Sequence, residues 1–291
     1  MPTPDDHRSW TPAFAGEGQR EERAEERLGE HPPPAPVLPP MQSTDLLLGP
    51  PPLDLLSTAS LFLDFDGTLV ELIDRPDRVR ADADLQHLLL RLGDALPGRV
   101  AIVSGRSIEQ LDLMLGEAAR HLALAGSHGA EFRVEGEIAQ AAVPAALPAI
   151  TAEMDAFAAA RPGVLVERKT LGAGLHYRAA PEHEADALAL AGRLAQEHGL
   201  HLQPGKMMAE VRTDGDKGGA VARLVRGAAM AGTTPLVFGD DLTDEAGFRA
   251  AAELGGAGVL VGDPRGTAAS YALPDVAAVR RWLALAVERL S

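Results

Sequence analysis

The sequence predicts an α/β fold: a doubly wound parallel sheet with a small α+β unit inserted into it. Two observations predict the sheet. Short apolar runs recur at Leu61–Leu63, Val100–Val103, Leu122–Ala125, Leu236–Phe238 and Val259–Val261. Continuous runs of this length suit strands buried on both faces. Helical patterns separate them, at Asp84–Leu96, Ile108–Leu115, Lys217–Met230 and Val276–Leu290, which is the alternation of a βαβ chain. The third observation predicts the insertion: over residues 135–211 the alternation breaks.

Taken in order, residues 1–57 stand apart. Pro32-Pro33-Pro34, Pro39-Pro40 and Pro50-Pro51-Pro52 punctuate them, and Gln19–Glu30 is a charge run with no apolar stripe. Such a composition buries too little surface to offset the entropy of ordering, so a mostly disordered extension is expected. A partner-binding tail and a natural start at Met41 are the other readings of this segment. Residues 58–134 and 212–291 form the Rossmann-like core. Residues 135–211 form the cap: strands at Val164–Lys169 and Gly172–Arg178 around a turn, a helix at Glu182–Glu197, and two strands around Pro204-Gly205 within His201–Arg212. Inserted between the third and fourth core strands, the cap lies over their carboxyl ends, where it can act as a lid. Gly172-Ala173-Gly174 reads as a short loop that closes over whatever binds there.

The chain has 291 residues and is 46% hydrophobic, enough for one or two packed domains. It has no Cys, which removes disulfides, thiolate metal sites and thiol nucleophiles. A net charge of -15 argues against nucleic-acid or anionic-membrane partners, since no basic excess is available to meet phosphates. A small phosphorylated substrate is compatible with it, given local cations. With no apolar run of spanning length and no signal-like N-terminus, a soluble cytoplasmic enzyme is expected.

In open α/β sheets, ligands bind beyond the carboxyl ends of the strands. Four apolar runs are followed there by Asp64, Ser104-Gly105-Arg106, Gly126-Ser127-His128-Gly129 and Gly239-Asp240-Asp241. In Asp64-Phe65-Asp66-Gly67-Thr68, Asp64 is the candidate nucleophile, held at a strand end and able to form an aspartyl-phosphate. Asp66, two residues on, can face the same cleft and serve as general acid and then general base. Gly67 supplies unusual turn angles, and Thr68 contacts phosphate or caps the next segment. Ser104 donates to a phosphate oxygen or caps a helix. Lys217 sits at a probable helix start, where the dipole disfavours a cation. That placement points to charge compensation of nucleophile and phosphate, against the commoner fate of a surface lysine. Asp240, Asp241, Asp244 and Glu245 crowd one loop, which is costly without a cation. An oxygen-only set suits Mg²⁺, with Asp240 as direct ligand and Asp241 and Asp244 orienting water or Lys217. A solvated acidic helix start accounts for Asp244 and Glu245 but not for Asp240.

Asp-x-Asp, Ser, Lys and Gly-Asp-Asp-x-x-Asp, in this order, resemble the four motifs of haloacid-dehalogenase-like phosphohydrolases over residues 60–128 and 212–265. Gly126-Ser127-His128-Gly129-Ala130-Glu131, Glu167-Arg168-Lys169, His176-Tyr177-Arg178, and Gly205-Lys206 through Glu210-Val211-Arg212 to Asp216-Lys217-Gly218 resemble the trehalose-6-phosphate phosphatase family. The resemblance implies Mg²⁺-dependent hydrolysis of trehalose 6-phosphate. It implies that Asp64 and Asp240 ligate the metal, that Asp66 does so through its backbone carbonyl, and that Ser104 and Lys217 bind phosphate. It places the substrate among Asp64, Phe65, Asp66, Gly105, Arg106, His128 and Glu131 of the core. On the cap it adds Glu167, Lys169, His176, Arg178 and Glu210. It also implies a separate synthase chain that makes the substrate. Read from the residues alone, Glu167 with Lys169, His176 with Arg178, and Glu210 with Arg212 alternate on strand faces. They contact a sugar or merely pair across strands, and His128 contacts sugar or orients the hinge. Other sugar phosphates, a phosphomutase, and a non-catalytic sugar-phosphate sensor are the alternatives.

Overall fold

The structure is a computed structural model that describes residues 48–73, 75 and 78–291; the readings of residues 1–47 and of Met41 fall outside them. An eight-stranded sheet carries the core. Its strands are β1 (Ala59–Leu63), β2 (Val100–Val103), β3 (Ala123–Gly126), β4 (Glu131–Val134) and β5 (Glu137–Gln140), then β10 (Thr234–Gly239), β11 (Ala257–Val261) and β12 (Tyr271–Leu273). The spatial order is β12-β11-β10-β1-β2-β3-β4-β5. Pairing is parallel from β12 to β3 and antiparallel for β4 and β5. The chain leaves β1 toward β2 on one side and returns through β10 on the other. That makes the β1–β10 boundary the switch point, where such sheets bind ligands.

Alternation along the buried strands divides the core into two faces. Leu61, Leu63, Ile102 and Phe238 pack with Leu85, Leu89 and Leu92 of α1 (Ala83–Ala95), with α2 (Ile108–Leu115) and α3 (Ala118–His121), and with Trp282 and Leu283 of α8 (Val276–Leu290). Phe62, Val103 and Val237 pack on the other face with Val221 and Leu224 of α6 (Lys217–Val225) and Phe248 of α7 (Asp244–Glu253). Asp82, Ser107, Asp216 and Asp275 accept hydrogen bonds from first-turn amides of α1, α2, α6 and α8, which fixes where those helices begin. Among the described residues no helix is long and apolar enough to cross a membrane.

The cap comprises β6 (Leu165–Lys169), β7 (Gly172–His176), β8 (His201–Gly205) and β9 (Met208–Arg212), with α4 (Leu147–Ala159) and α5 (Glu184–His198). Its strands form an antiparallel sheet in the order β6-β7-β9-β8. The cap has its own core, in which Ala173, Leu175, Ala209 and Val211 meet Ile150, Met154, Ala191 and Leu194. The alternate residues face away from that core. They include Glu167 and Lys169 on β6, Gly172, Gly174 and His176 on β7, and Met208, Glu210 and Arg212 on β9, and most of them line the cleft at the sheet edge.

Several boundaries differ from expectation. Residues 48–57 are not part of a disordered extension: Leu53–Ser57 forms a 3-10 turn with Leu56 buried, and the Trp282 indole donates to the Pro51 carbonyl. The apolar residues among these prolines find a partner in α8 that composition does not reveal. The cap does not begin at residue 135, because β5 pairs with β4 on the large sheet. Gly172-Ala173-Gly174 is not a closing loop: it opens the strand expected from Gly172, here β7, which is paired on both sides. The turn of the last cap hairpin is Lys206–Met207, Met207 having φ +59°, rather than Pro204-Gly205. Pro204 is accommodated because β8 is an edge strand. Helix α6 stops at Val225 rather than Met230. Helix α4, rich in alanine and started by Leu147-Pro148, carries too little polar contrast to register as an amphipathic pattern.

Candidate active site

Asp64 leaves β1 at the switch point and is tied to β10 by a hydrogen bond from its amide to the Phe238 carbonyl, 3.0 Å. Lys217, the first residue of α6, is brought to it because Asp216 caps that helix through the Gly219 amide, 2.9 Å. The Lys217 ammonium donates to Asp64 Oδ1 at 2.8 Å and to Asp244 Oδ1 at 2.6 Å. Asp64 Oδ2 has no partner among the described residues. Asp244 opens α7, and its Oδ2 accepts from the amides of Asp240 and Asp241, both 3.0 Å. Asp241 turns into its own loop, accepting from the amide and hydroxyl of Thr243.

The electrostatics follow from burial. Lys217 is 4% exposed; burial opposes its charge, but Asp244, Asp64 and Asp241 hold it above the ordinary lysine range. Burial drives Asp64 well above the usual carboxylate range, Lys217 pulls it down, and Asp244 and Asp240 push it up. Asp244 is pushed up to about 6, by burial first and then by Asp241, against Lys217. Asp240 is raised by burial, against the pull of Lys206. One buried ammonium therefore serves Asp64 and Asp244, while Asp240 has only the half-exposed Lys206, and a further cation would relieve the excess. Carboxylate oxygens of Asp64, Asp240 and Asp244 lie within 4.8 Å of one another. Gly67, at φ +85°, leaves no room for a Cβ beside the Asp240 carboxylate. An oxygen-only, acidic donor set fits a divalent cation. Both oxygens of Asp244 are already engaged, which leaves Asp64 and Asp240 as the better-placed pair.

The second carboxylate of the opening motif, Asp66, is gripped by Arg106, which donates Nε to Oδ2 at 2.8 Å and NH2 to Oδ1 at 2.7 Å. Ser104 lines the cleft and is not a helix cap, since Ser107 fills that role; Ser104 Oγ accepts from the Arg106 amide, 3.1 Å. The cap closes this space from above. Glu167 accepts from Arg106 NH1 at 3.0 Å and from His176 Nε2 at 2.8 Å. Lys169 donates to the Gly105 carbonyl at 3.0 Å and to Glu210 Oε2 at 2.5 Å. Glu210 is buried, and its Oε1 has no partner among the described residues. Burial opposes the charge on Glu167, but Lys169, His176 and Arg106 hold it below the ordinary carboxylate range. His128 is held well below its ordinary value by burial, with Lys169 and Lys217 adding to the effect. Gly105, His128, His176 and Arg178 line the same cleft as Asp64, Lys217 and Asp240.

Three candidate residues do not present their side chains to the cleft. Glu131 is buried behind the cleft, where it accepts from the Ile108 amide and the Ser127 hydroxyl. It holds the first amide of α2 beside the Ser107 cap, and Gly129, at φ +95°, turns the chain before it. The Phe65 side chain lies in the hydrophobic core, as the residue between two cleft-facing acids must. Thr68 is fully buried, its hydroxyl has no partner among the described residues, and it does not line the cleft. One cleft residue stands in a stretch that resembles the family but has no role assigned from the sequence. Lys206, at the tip of the β8–β9 turn, donates to Asp240 Oδ2 at 2.5 Å; the glycine before it marks the turn, but its reach to the core depends on how the cap docks.

A doubly wound sheet with paired acids after its first strand, a buried lysine against them and an inserted cap defines a haloacid-dehalogenase-like phosphoric monoester hydrolase. The trehalose-phosphatase family model matches residues 62–277, and the chain belongs to that family. It is 38% identical to the trehalose-6-phosphate phosphatase of Escherichia coli over 226 residues, 76% of this chain and 84% of that protein. It is 36% identical to a probable trehalose-phosphate phosphatase of Sinorhizobium fredii over 232 residues, 77% and 87% of the two chains. A crystal structure of a trehalose-6-phosphate phosphatase related protein superposes with a TM-score of 0.68 at 28% identity, covering 79% of this chain and 97% of that one.

Proposed function

We propose that this protein hydrolyses trehalose 6-phosphate to trehalose and inorganic phosphate, using Mg²⁺. The observation that carries this reading is a single cleft lined both by Asp64, Lys217 and Asp240 and by the cap's Glu167, Lys169 and Glu210. The first group is phosphoryl chemistry. The second is a set of carboxylates and an ammonium suited to the hydroxyls of an uncharged sugar, and the unpartnered Glu210 Oε1 is an acceptor of the required kind.

Asp64 Oδ2 attacks phosphorus as the bond to the sugar oxygen breaks, and Asp66 gives that oxygen its proton. Asp66 then takes a proton from water, whose oxygen attacks phosphorus and releases Asp64. Lys217 holds Asp64 in place and offsets charge on the phosphoryl oxygens, with Ser104 donating to one of them. Asp64, Asp240 and the Asp66 carbonyl would hold Mg²⁺, which neutralises charge on the phosphoryl group. Residues 141–212 act as a lid that excludes bulk water during both steps.

Phosphate release across a panel of sugar phosphates, with and without Mg²⁺, tests the reading. Trehalose 6-phosphate is expected to lead and activity to vanish without the cation. A tenfold preference for another sugar phosphate would overturn the substrate, and Asp64→Asn with activity near wild type would overturn the nucleophile.

A further inference from the structure

Glu167 is the cap carboxylate most firmly tied to the core, and one of its partners lies outside the cleft. Gln110 is the third residue of α2 and does not line the cleft. Its Nε2 donates to Glu167 Oε1 at 2.8 Å, beside the 3.0 Å contact from Arg106. Its Oε1 accepts from the Ser107 amide at 2.9 Å, while Ser107 Oγ accepts from the Gln110 amide at 3.2 Å. This reciprocal pair is the capping box of α2. It also settles which way the amide points. A backbone N–H can only donate, so the oxygen must face Ser107 and the NH₂ group must face Glu167.

A carboxylate offers about four acceptor positions. Arg106 and Gln110 occupy Oε1, and His176 takes one position on Oε2. One position on Oε2 is left, on the side of Lys169, whose ammonium is 4.0 Å away. We propose that Gln110 is a positioning residue for sugar recognition, fixing Glu167 from behind so that its remaining lone pair meets a substrate hydroxyl. A residue of the first turn of α2, close after Ser104-Gly105-Arg106, thereby sets the distance between the sugar-reading face and the reacting phosphorus. This inference rests on the reading that Glu167 contacts the sugar.

The test compares kcat/KM for trehalose 6-phosphate with that for p-nitrophenyl phosphate, which has no sugar, at saturating Mg²⁺. Gln110→Glu still accepts from Ser107, because Glu and Gln both complete a capping box, but it turns a donor into a like charge against Glu167. It is expected to lower kcat/KM for trehalose 6-phosphate about tenfold or more, mainly through KM, the worth of one hydrogen bond to a charged group. Hydrolysis of the small ester is expected to stay within about twofold, as an interaction confined to the sugar requires. Gln110→Lys keeps a donor for Glu167 and loses the acceptor for Ser107. It is expected to lower Tm while leaving the ratio of the two substrates near wild type. An unchanged ratio in Gln110→Glu, or an equal loss in Gln110→Lys, would overturn the proposal when Glu167→Ala does shift the ratio. If Glu167→Ala leaves the ratio unmoved, the sugar-reading role of Glu167 falls, and the role of Gln110 falls with it.

Discussion

Lys217 shows how much a single placement against propensity can convey. A cation at the first position of a helix opposes the dipole, and burying an ammonium is costly unless it is paired. Its two ion pairs, with Asp64 and Asp244, resolve both objections at once. Lys217→Ala would leave the buried Asp64 and Asp244 with no ion-pair partner, beside an Asp240 that keeps only Lys206. Turnover is expected to fall by about 10²–10³, the usual cost of removing one preorganised charge partner, in a protein whose circular dichroism still reports the fold; a loss under tenfold would remove Lys217 from the chemistry. The residues legible in the sequence, Asp64, Ser104, Lys217 and Asp240, all sit at the ends of strands or the start of a helix, where position along the chain dictates direction. Glu131 and Phe65 depart from expectation because proximity in a motif does not say which face a side chain takes. Gln110 leaves no signal beyond an ordinary capping pattern.

At the scale of elements, the central cap strand β7 presents bare backbone between two cleft carboxylates. Gly174 lies between Glu167 and Glu210 in the sheet register, so the two carboxylates flank a stretch with no side chain. Glycine weakens a strand interior and marks places where something approaches closely. A Cβ at Gly174 would meet only the tip of Met208 within 3.4 Å, so a side chain is tolerated by the fold and would stand on the face that carries Glu167 and Glu210. Gly174→Val supplies a good strand former. It is expected to hold or raise Tm, to raise KM for trehalose 6-phosphate about tenfold, and to spare p-nitrophenyl phosphate. Equal effects on both substrates would place the sugar elsewhere. The sequence is ambiguous here, since Gly172–Arg178 has the look of a strand while its two glycines read as a break. Only pairing on both sides makes them a strand. The core strands are legible for the opposite reason: a strand buried on both faces is apolar throughout, and its pattern does not depend on its neighbours.

For the whole molecule, the sequence conveys the two layers and their order but not the seam between them. That seam is a chain of ionic contacts from Asp66 through Arg106 to Glu167, continued by a hydrogen bond to His176. Its partners are 40 and 61 residues apart from Arg106, so no local pattern could announce it. The seam makes the closed form sensitive to acid. Glu167 has an ordinary value of 4.5 and is held below it in the folded protein, by Lys169, His176 and Arg106 against burial. Between those two values the unfolded chain takes up a proton at Glu167 that the folded chain does not, so acidification favours unfolding. The stabilisation is complete above about pH 4.5 and drains away as the pH falls toward the folded value. Raised carboxylates such as Asp244 act in the opposite sense, so the signature of Glu167 lies in a difference. Glu167→Gln removes the titration while keeping the shape. Its Tm is expected to fall less steeply than that of the wild type between about pH 5.5 and pH 3.5, with the two curves parallel from about pH 6 to 8. Parallel curves throughout would mean that Glu167 carries no ionic load in closing the cap.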